Sequence, residues 1–288
     1  MAEDTVQPAV ERALPWLERE SQWWIEDKDC VSCHHTTFSV WARDLAFERG
    51  YDLDAEQLKI DREWVVSQFL APRVPDAENP EDVVKPGELN GDRNMEGIAQ
   101  FLISPSSIHL DPDRRSKLIE VIKRNRNRDG SWKPGGQLPL QKRPAEETAE
   151  ISRFWGQLAI DETSPFPSLD HPRSSEWYAL AAMFSKKPDR IAALLKRQNP
   201  DGGWSWLDGE ASSPTGTGQA LLALGRLDMV EKYPEVVNQG RTWLLEHQSE
   251  DGSWKTFSTK RRDRSGRISN FWGTAWAVIG LLESSHVQ

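Results

Sequence analysis

Apolar residues recur at i, i+3, i+4 and i+7 through RRSKLIEVIKRN, RIAALLKRQ and GRTWLLEHQ. That spacing gathers them on one side of an α-helix. Stretches of this amphipathic kind predict helices over 9–24, 54–70, 112–125, 189–198 and 234–248. A second kind carries a small, polar N-terminal end and a body apolar on nearly all sides. It covers 35–50, 94–103, 145–160, 174–184, 213–227 and 269–283. A helix apolar all round has no face to offer to water. These helices therefore predict an inner, buried ring, and the amphipathic ones an outer ring. Ser, Thr and Asn at the inner starts predict N-caps. Between 160 and 174 the chain reads DETSPFPSLDHPR, a proline-rich loop where an outer helix is missing. The count is about eleven helices.

Three turns punctuate the pattern: RNRDGSW (126–132), QNPDGGW (198–204) and QSEDGSW (248–254). Each follows an amphipathic helix. The glycine is expected to stop that helix with a left-handed backbone, the aspartate to bond nearby amides, and the tryptophan to fold back onto the helices. Repetition at helix ends predicts a repeat fold. No stretch is long or flexible enough to divide the chain, so 1–288 reads as one domain. Within it, 1–50 is a first hairpin, 72–92 is a long acidic, proline-rich loop, and 95–284 carries the repeats.

Composition adds fourteen tryptophans against three tyrosines and nine phenylalanines, a bias that asks for an architectural or ligand-stacking role. The net charge is −9, and basic clusters such as KRRDR (260–264) are short and flanked by acids. Nothing in this pattern points to nucleic acid. The longest apolar run, WGTAWAVIGLL (272–282), is too short to span a bilayer. The start, MAEDTVQPAV, shows no leader. It reads as cytoplasmic, or as exported with the leader replaced.

The D-G-[SG]-W turns, with Gln198 and Gln248 ahead of two of them, resemble the QW motifs of squalene-hopene cyclase and the prenyltransferase–squalene oxidase repeat family. SPTGTGQALLAL resembles the inner helix that follows such a motif there. The resemblance implies an all-α, (α/α)6-type toroid around a central cavity, with one outer helix reduced. It does not bring the catalytic acid. The D-x-D-D motif of those cyclases is absent, and DLD (52–54) is followed by Ala55. The prenyltransferase zinc site, built from separate Asp, Cys and His, also fails, because both cysteines lie in one local motif. The sequence further resembles toroid proteins of planctomycete type that carry C-x-x-C-H near the N-terminus.

That motif is CVSCHH (30–35). Cys30 and Cys33 are the only cysteines in the chain. C-x-x-C-H is the spacing of covalent haem c attachment: two thioethers from Cys30 and Cys33, and His34 under the iron. Trp23 and Trp24 precede it, and Phe38 and Trp41 follow along the first inner helix. Candidates for the second axial position are Met95, His109 and His171, while His35 is expected to make a local bond or meet a propionate. The alternatives are a zinc site using the cysteines with His34 or His35, and a thiol–disulfide pair.

Glu96, Glu146, Glu147, Glu176, Thr215, Thr217, Asn270 and Thr274 lie near inner-helix starts, where capping is the ordinary role. Glu146 and Glu147 are the best acid–base candidates among them. The expectation is a monohaem c protein on a cyclase-like toroid, working in electron transfer or redox or ligand binding outside the cytoplasm, with an unknown redox partner. The competing expectation is a binder of an apolar small molecule or a divergent cyclase-like enzyme, with CVSCHH as a zinc or thiol site. If the haem reading fails, the protein is expected to be cytoplasmic.

Overall fold

The computed structural model describes residues 3–28, 35–75, 81–162 and 169–285. Among them there are eleven α-helices and no extended strand. Six are inner: α2 (Thr36–Glu48), α4 (Met95–Ile103), α6 (Ala145–Ala159), α7 (Ser175–Ser185), α9 (Pro214–Arg226) and α11 (Arg267–Ser284). Each packs on the next, and α11 returns to α2, so the inner layer closes into a ring. Five are outer: α1 (Glu3–Lys28), α3 (Ala55–Leu70), α5 (Pro112–Arg124), α8 (Pro188–Leu195) and α10 (Pro234–Glu246). They lie against α2 and α11, α2, α4, α7 and α9 respectively. Among the described residues no outer helix stands between α6 and α7; residues 163–168, part of the proline-rich stretch, lie outside them. The fold is an α/α toroid of six inner and five outer helices among the described residues.

The repeated turns explain how outer and inner helices are joined. Gly130, Gly202 and Gly252 take φ of 79°, 89° and 86°, a region open to glycine at little cost. They do not end the helices as the sequence suggested. The helices stop earlier, at Arg124, Leu195 and Glu246, and the glycines bend the turn beyond. In each turn the indole N–H reaches back ten residues to a carbonyl near the outer-helix end: Trp132 to Ile122 at 2.8 Å, Trp204 to Leu194 at 3.0 Å and Trp254 to Leu244 at 2.8 Å. All three indoles are buried. The glutamines act as cross-braces. The Gln248 amide donates to the carbonyl of Gly252 within its turn and to that of Ala9 on α1. Gln198 likewise joins Gly202 to Val236 on α10.

Two inner helices touch through glycine. A Cβ on Gly218 of α9 would lie 2.1 Å from the Trp276 carbonyl oxygen, and one on Gly225 would lie 2.1 Å from that of Glu283. Gly280 of α11 faces Gly218 from the other side. The α9 and α11 backbones therefore meet with no side chain between them. A different device holds α1, α2 and α3. Arg43 of α2 pairs with Asp61 of α3, both side chains being at most 2% exposed. Asp61 also accepts from Gln22 of α1 at 2.8 Å and from Gln57 at 2.9 Å.

Candidate functional site

The inner helices start at one end of the ring, and the side chains there form a mouth. The Trp24 ring, near the end of α1, stacks on His35 with centroids 3.9 Å apart, and Phe271 stacks on the other side of His35 at 4.1 Å. The histidine that the sequence assigned to a local contact is fully buried in an aromatic sandwich. Its neighbours Cys30, Cys33 and His34 lie outside the described residues. Both flanks of that segment are fixed: one by Trp24, the other by His35 at the start of α2.

Beside these flanks is a cavity of about 400 Å³. Trp23 and Trp272 give it aromatic walls, and Lys260, Arg261, Arg264 and Arg267 give it a basic side. The Arg267 guanidinium lies 3.4 Å from the Trp23 ring centroid and bonds to Glu20. Such a cation over an indole face is favourable. The short basic cluster KRRDR thus forms part of one wall of a cavity.

Below the mouth lies a buried polar layer. Glu96, the second residue of α4, is fully buried. Its carboxyl group accepts from the Ser152 hydroxyl at 2.5 Å and from the Gly135 N–H at 3.1 Å. Glu176 of α7 accepts from the Trp155 N–H at 3.0 Å and pairs with Arg143 at 2.8 Å, neither charged side chain being more than 2% exposed. Burial, and then the charge of Glu176, push Glu96 above the ordinary glutamate value; its Ser152 and Gly135 bonds oppose this without cancelling it. Folded Glu96 thus holds its proton more tightly than the unfolded chain does. Its contribution to stability is complete below 4.5 and is lost as pH rises through the raised folded value. Glu96→Gln keeps the shape and removes the titration. Its stability relative to wild type, measured by urea unfolding, is expected to improve steadily as pH rises above 4.5. Parallel pH curves for the two proteins would rule this out.

The sequence candidates separate in space. Glu146 is exposed, whereas Glu147 is buried, accepting from the backbone N–H groups of Arg173 and Ser174 at 2.8 and 2.9 Å. The neighbouring glutamates do not form a pair, because successive helical residues point about 100° apart. The carboxyl groups that do feel each other are Glu96 and Glu176 of the buried layer, which lie on different helices. Thr217, Thr274 and Asn270 face outward. The two threonine hydroxyls accept from the backbone N–H groups of Trp204 and Trp254 at 2.9 Å each, and the Asn270 side-chain oxygen from the backbone N–H of Thr256 at 2.9 Å. Met95 is buried at the start of α4, and His171 is exposed ahead of α7. His109 sits 3.6 Å from Glu48, at the far end of α2. About 20 Å of helix separates it from His35. Arg143 and Trp206 were not singled out in the sequence because both lie outside the periodic segments. The Arg143 guanidinium carbon is 5.2 Å from the Trp206 ring centroid, and that of Arg262 is 4.6 Å away. Among the described residues, no group of three or more His, Cys, Asp or Glu side chains is placed to hold a metal ion, and no helix is long and apolar enough to cross a membrane.

No family model matches the chain. It is 25% identical over 232 residues to a drimenyl diphosphate synthase from Streptomyces showdoensis, an alignment covering 75% of this chain and 39% of that protein. The chain therefore spans about two-fifths of the length of that relative. Two solved structures share the architecture. One, of a glycosidase variant, has a TM-score of 0.50 at 14% identity, covering 95% of this chain and 97% of that one. The other, of a glycosidase variant in complex with glucose, has a TM-score of 0.50 at 13% identity with the same coverage. At such identities the glycosidase structures speak to fold alone. The closed inner ring and its outer helices make the fold an α/α toroid, and the likeness to drimenyl diphosphate synthase supports a terpene cyclase-like scaffold.

Proposed function

We propose that this toroid is a c-type haem-binding protein of the squalene-hopene cyclase-like repeat type, acting in electron transfer or redox-linked ligand binding outside the cytoplasm. Cys30 and Cys33 would carry the porphyrin and His34 would hold its iron. Met95 or His171 would be the second protein ligand. His109 is too far away along α2. The observation that carries the reading is the aromatic and basic cavity beside both flanks of the C-x-x-C-H segment. Trp23 and Trp272 suit a flat apolar macrocycle, and Lys260, Arg261, Arg264 and Arg267 suit its two carboxylates. Bound haem supplies a one-electron centre. The chain's own part is to exclude water with Trp24, His35 and Phe271, and to hold the anionic edge with the basic loop. Covalent attachment takes place outside the cytoplasm, so the reading includes export.

A second occupant has similar chemistry. The relative's name includes a terpenyl diphosphate, which is again an apolar body with an anionic end. With no D-x-D-D acid in the chain, this second reading is binding without cyclisation, with Cys30 and Cys33 as a zinc or thiol site.

Protein made with haem-maturation machinery is expected to show a Soret band that survives denaturation. Cys30→Ser with Cys33→Ser is expected to abolish that pigment while leaving the helical circular dichroism in place. A colourless, correctly matured protein would end the haem reading. Stoichiometric zinc, or saturable binding of drimenyl diphosphate to that colourless protein, would establish the second.

A further inference from the structure

The inner helices carry buried polar atoms that neither the ring nor the mouth uses. On α9, Thr217 is fixed outward by its bond to Trp204. Residues two positions away on either side, Thr215 and Gln219, therefore lie on the opposite face, toward the ring axis. The same geometry holds on α11, where Thr274 is fixed outward by Trp254 and Trp272 and Trp276 face the axis. Thr215, Gln219 and Trp276 are each 1% exposed, and Trp272 is 8% exposed. The Thr215 hydroxyl, both ends of the Gln219 amide and both indole N–H groups have no hydrogen-bond partner among the described residues. Such atoms are costly to leave dry.

Their chemistry narrows what would satisfy them. They include donors, the indole N–H groups and the Gln219 NH₂, and acceptors, the Gln219 carbonyl and Thr215. The adjoining charges are already matched, since Arg143 is paired with Glu176. A net charge would enter without a counter-ion, whereas hydroxyl groups would donate and accept in turn. The rings of Trp272 and Trp276 offer apolar contact to a compact carbon skeleton. Trp272 and Gln141 also line the mouth cavity, the side from which such a molecule would enter. The Gln141 side-chain oxygen is likewise without a partner among the described residues.

We propose that the ring axis, at the N-terminal ends of α7, α9 and α11, binds a small uncharged molecule bearing several hydroxyl groups. Gln219 makes two bonds to it, one given and one accepted. Trp272 and Trp276 donate to its oxygens, and Thr215 closes the set. The site shares Trp272 with the mouth cavity, but none of its bonds needs the cysteines, so it is present in protein lacking both.

The test titrates the full chain, with and without Cys30→Ser and Cys33→Ser, against D-glucose, myo-inositol and glycerol. D-gluconate serves as a charged counterpart. Binding is read by tryptophan fluorescence and calorimetry, with Lys59→Ala on the distant outer surface as a control. At least one neutral polyol is expected to bind saturably. Gln219→Leu is expected to weaken it about tenfold, the scale of one good hydrogen bond. The same variant is expected to melt at a higher temperature than wild type without ligand, since it removes an unpaired buried amide, and to lose the polyol-induced shift. A merely structural glutamine would lower the melting temperature instead, and that result overturns the proposal. If Gln219→Leu does not fold, Thr215→Val carries the same comparison. Absence of saturable binding by all three polyols means that the axis holds water only and also overturns the proposal. D-gluconate binding as tightly as the best neutral polyol overturns the uncharged class.

Discussion

Gly218→Ala destabilises the protein by about 3 kcal/mol, the upper end of ordinary overpacking, as read from the midpoint of urea unfolding. The reason is the nature of the neighbour. The added methyl group meets the backbone carbonyl of Trp276 at 2.1 Å. A flexible side chain would swing aside, but a helix carbonyl already bonded within α11 cannot. Relief requires α9 and α11 to separate, and the seam runs on through Gly225 against Glu283. Separation therefore opens contacts along the whole pair. Gly50→Ala, where a Cβ meets nothing within 4 Å but φ is 82°, serves as a comparison with backbone strain and no clash. If Gly218→Ala unfolds at the wild-type midpoint, the seam is not the rigid joint described above.

Asp61→Ala comes next, with an expected loss of about 3–5 kcal/mol. The change leaves the Arg43 guanidinium buried, with Glu18 at 4.0 Å as its nearest remaining carboxylate. It also removes the acceptor shared by Gln22 and Gln57. The cost comes from stranding a charge, and does not measure what the pair contributes. Arg43→Met combined with Asp61→Leu removes both charges and fills the space, so it is expected to recover most of the loss. Equal destabilisation of the single and double variants, by the same unfolding measurement, would show that packing alone is at work. The clamp matters for the mouth because it locks the α1 and α2 ends that flank residues 29–34.

Much of the ring was legible in the chain. Periodicity set the inner and outer helices to within a few residues. The extreme case is α1, where two prolines, at 8 and 15, fall inside a helix running from Glu3 to Lys28. The gap between α6 and α7 was marked by the proline-rich DETSPFPSLDHPR, of which residues 163–168 lie outside the described residues. What periodicity could not supply was contact between segments far apart in the chain. Glu96 meets Ser152, and Glu176 meets Arg143, across separations set by ring closure. Glu146 and Glu147 drew attention only because they are adjacent. The tryptophans of the turns were expected to fold back, and they do. The role of Thr217 and Thr274 as acceptors for the tryptophan of the preceding turn was hidden, because a threonine near a helix start reads as a cap.

The first and last described helices of the ring are neighbours. α11 packs on both α1 and α2, and Arg49 at the end of α2 donates to the Ser285 carbonyl. During synthesis the N-terminal pair therefore waits, with Phe38 and Trp41 uncovered, until the partner made some 230 residues later emerges. At elongation rates of about 5–20 residues per second, that interval is on the order of ten seconds or more. For that interval the inner faces of α1 and α2 stay open to water, and removing α11 would leave Phe38 and Trp41 without the Trp276 ring that covers them.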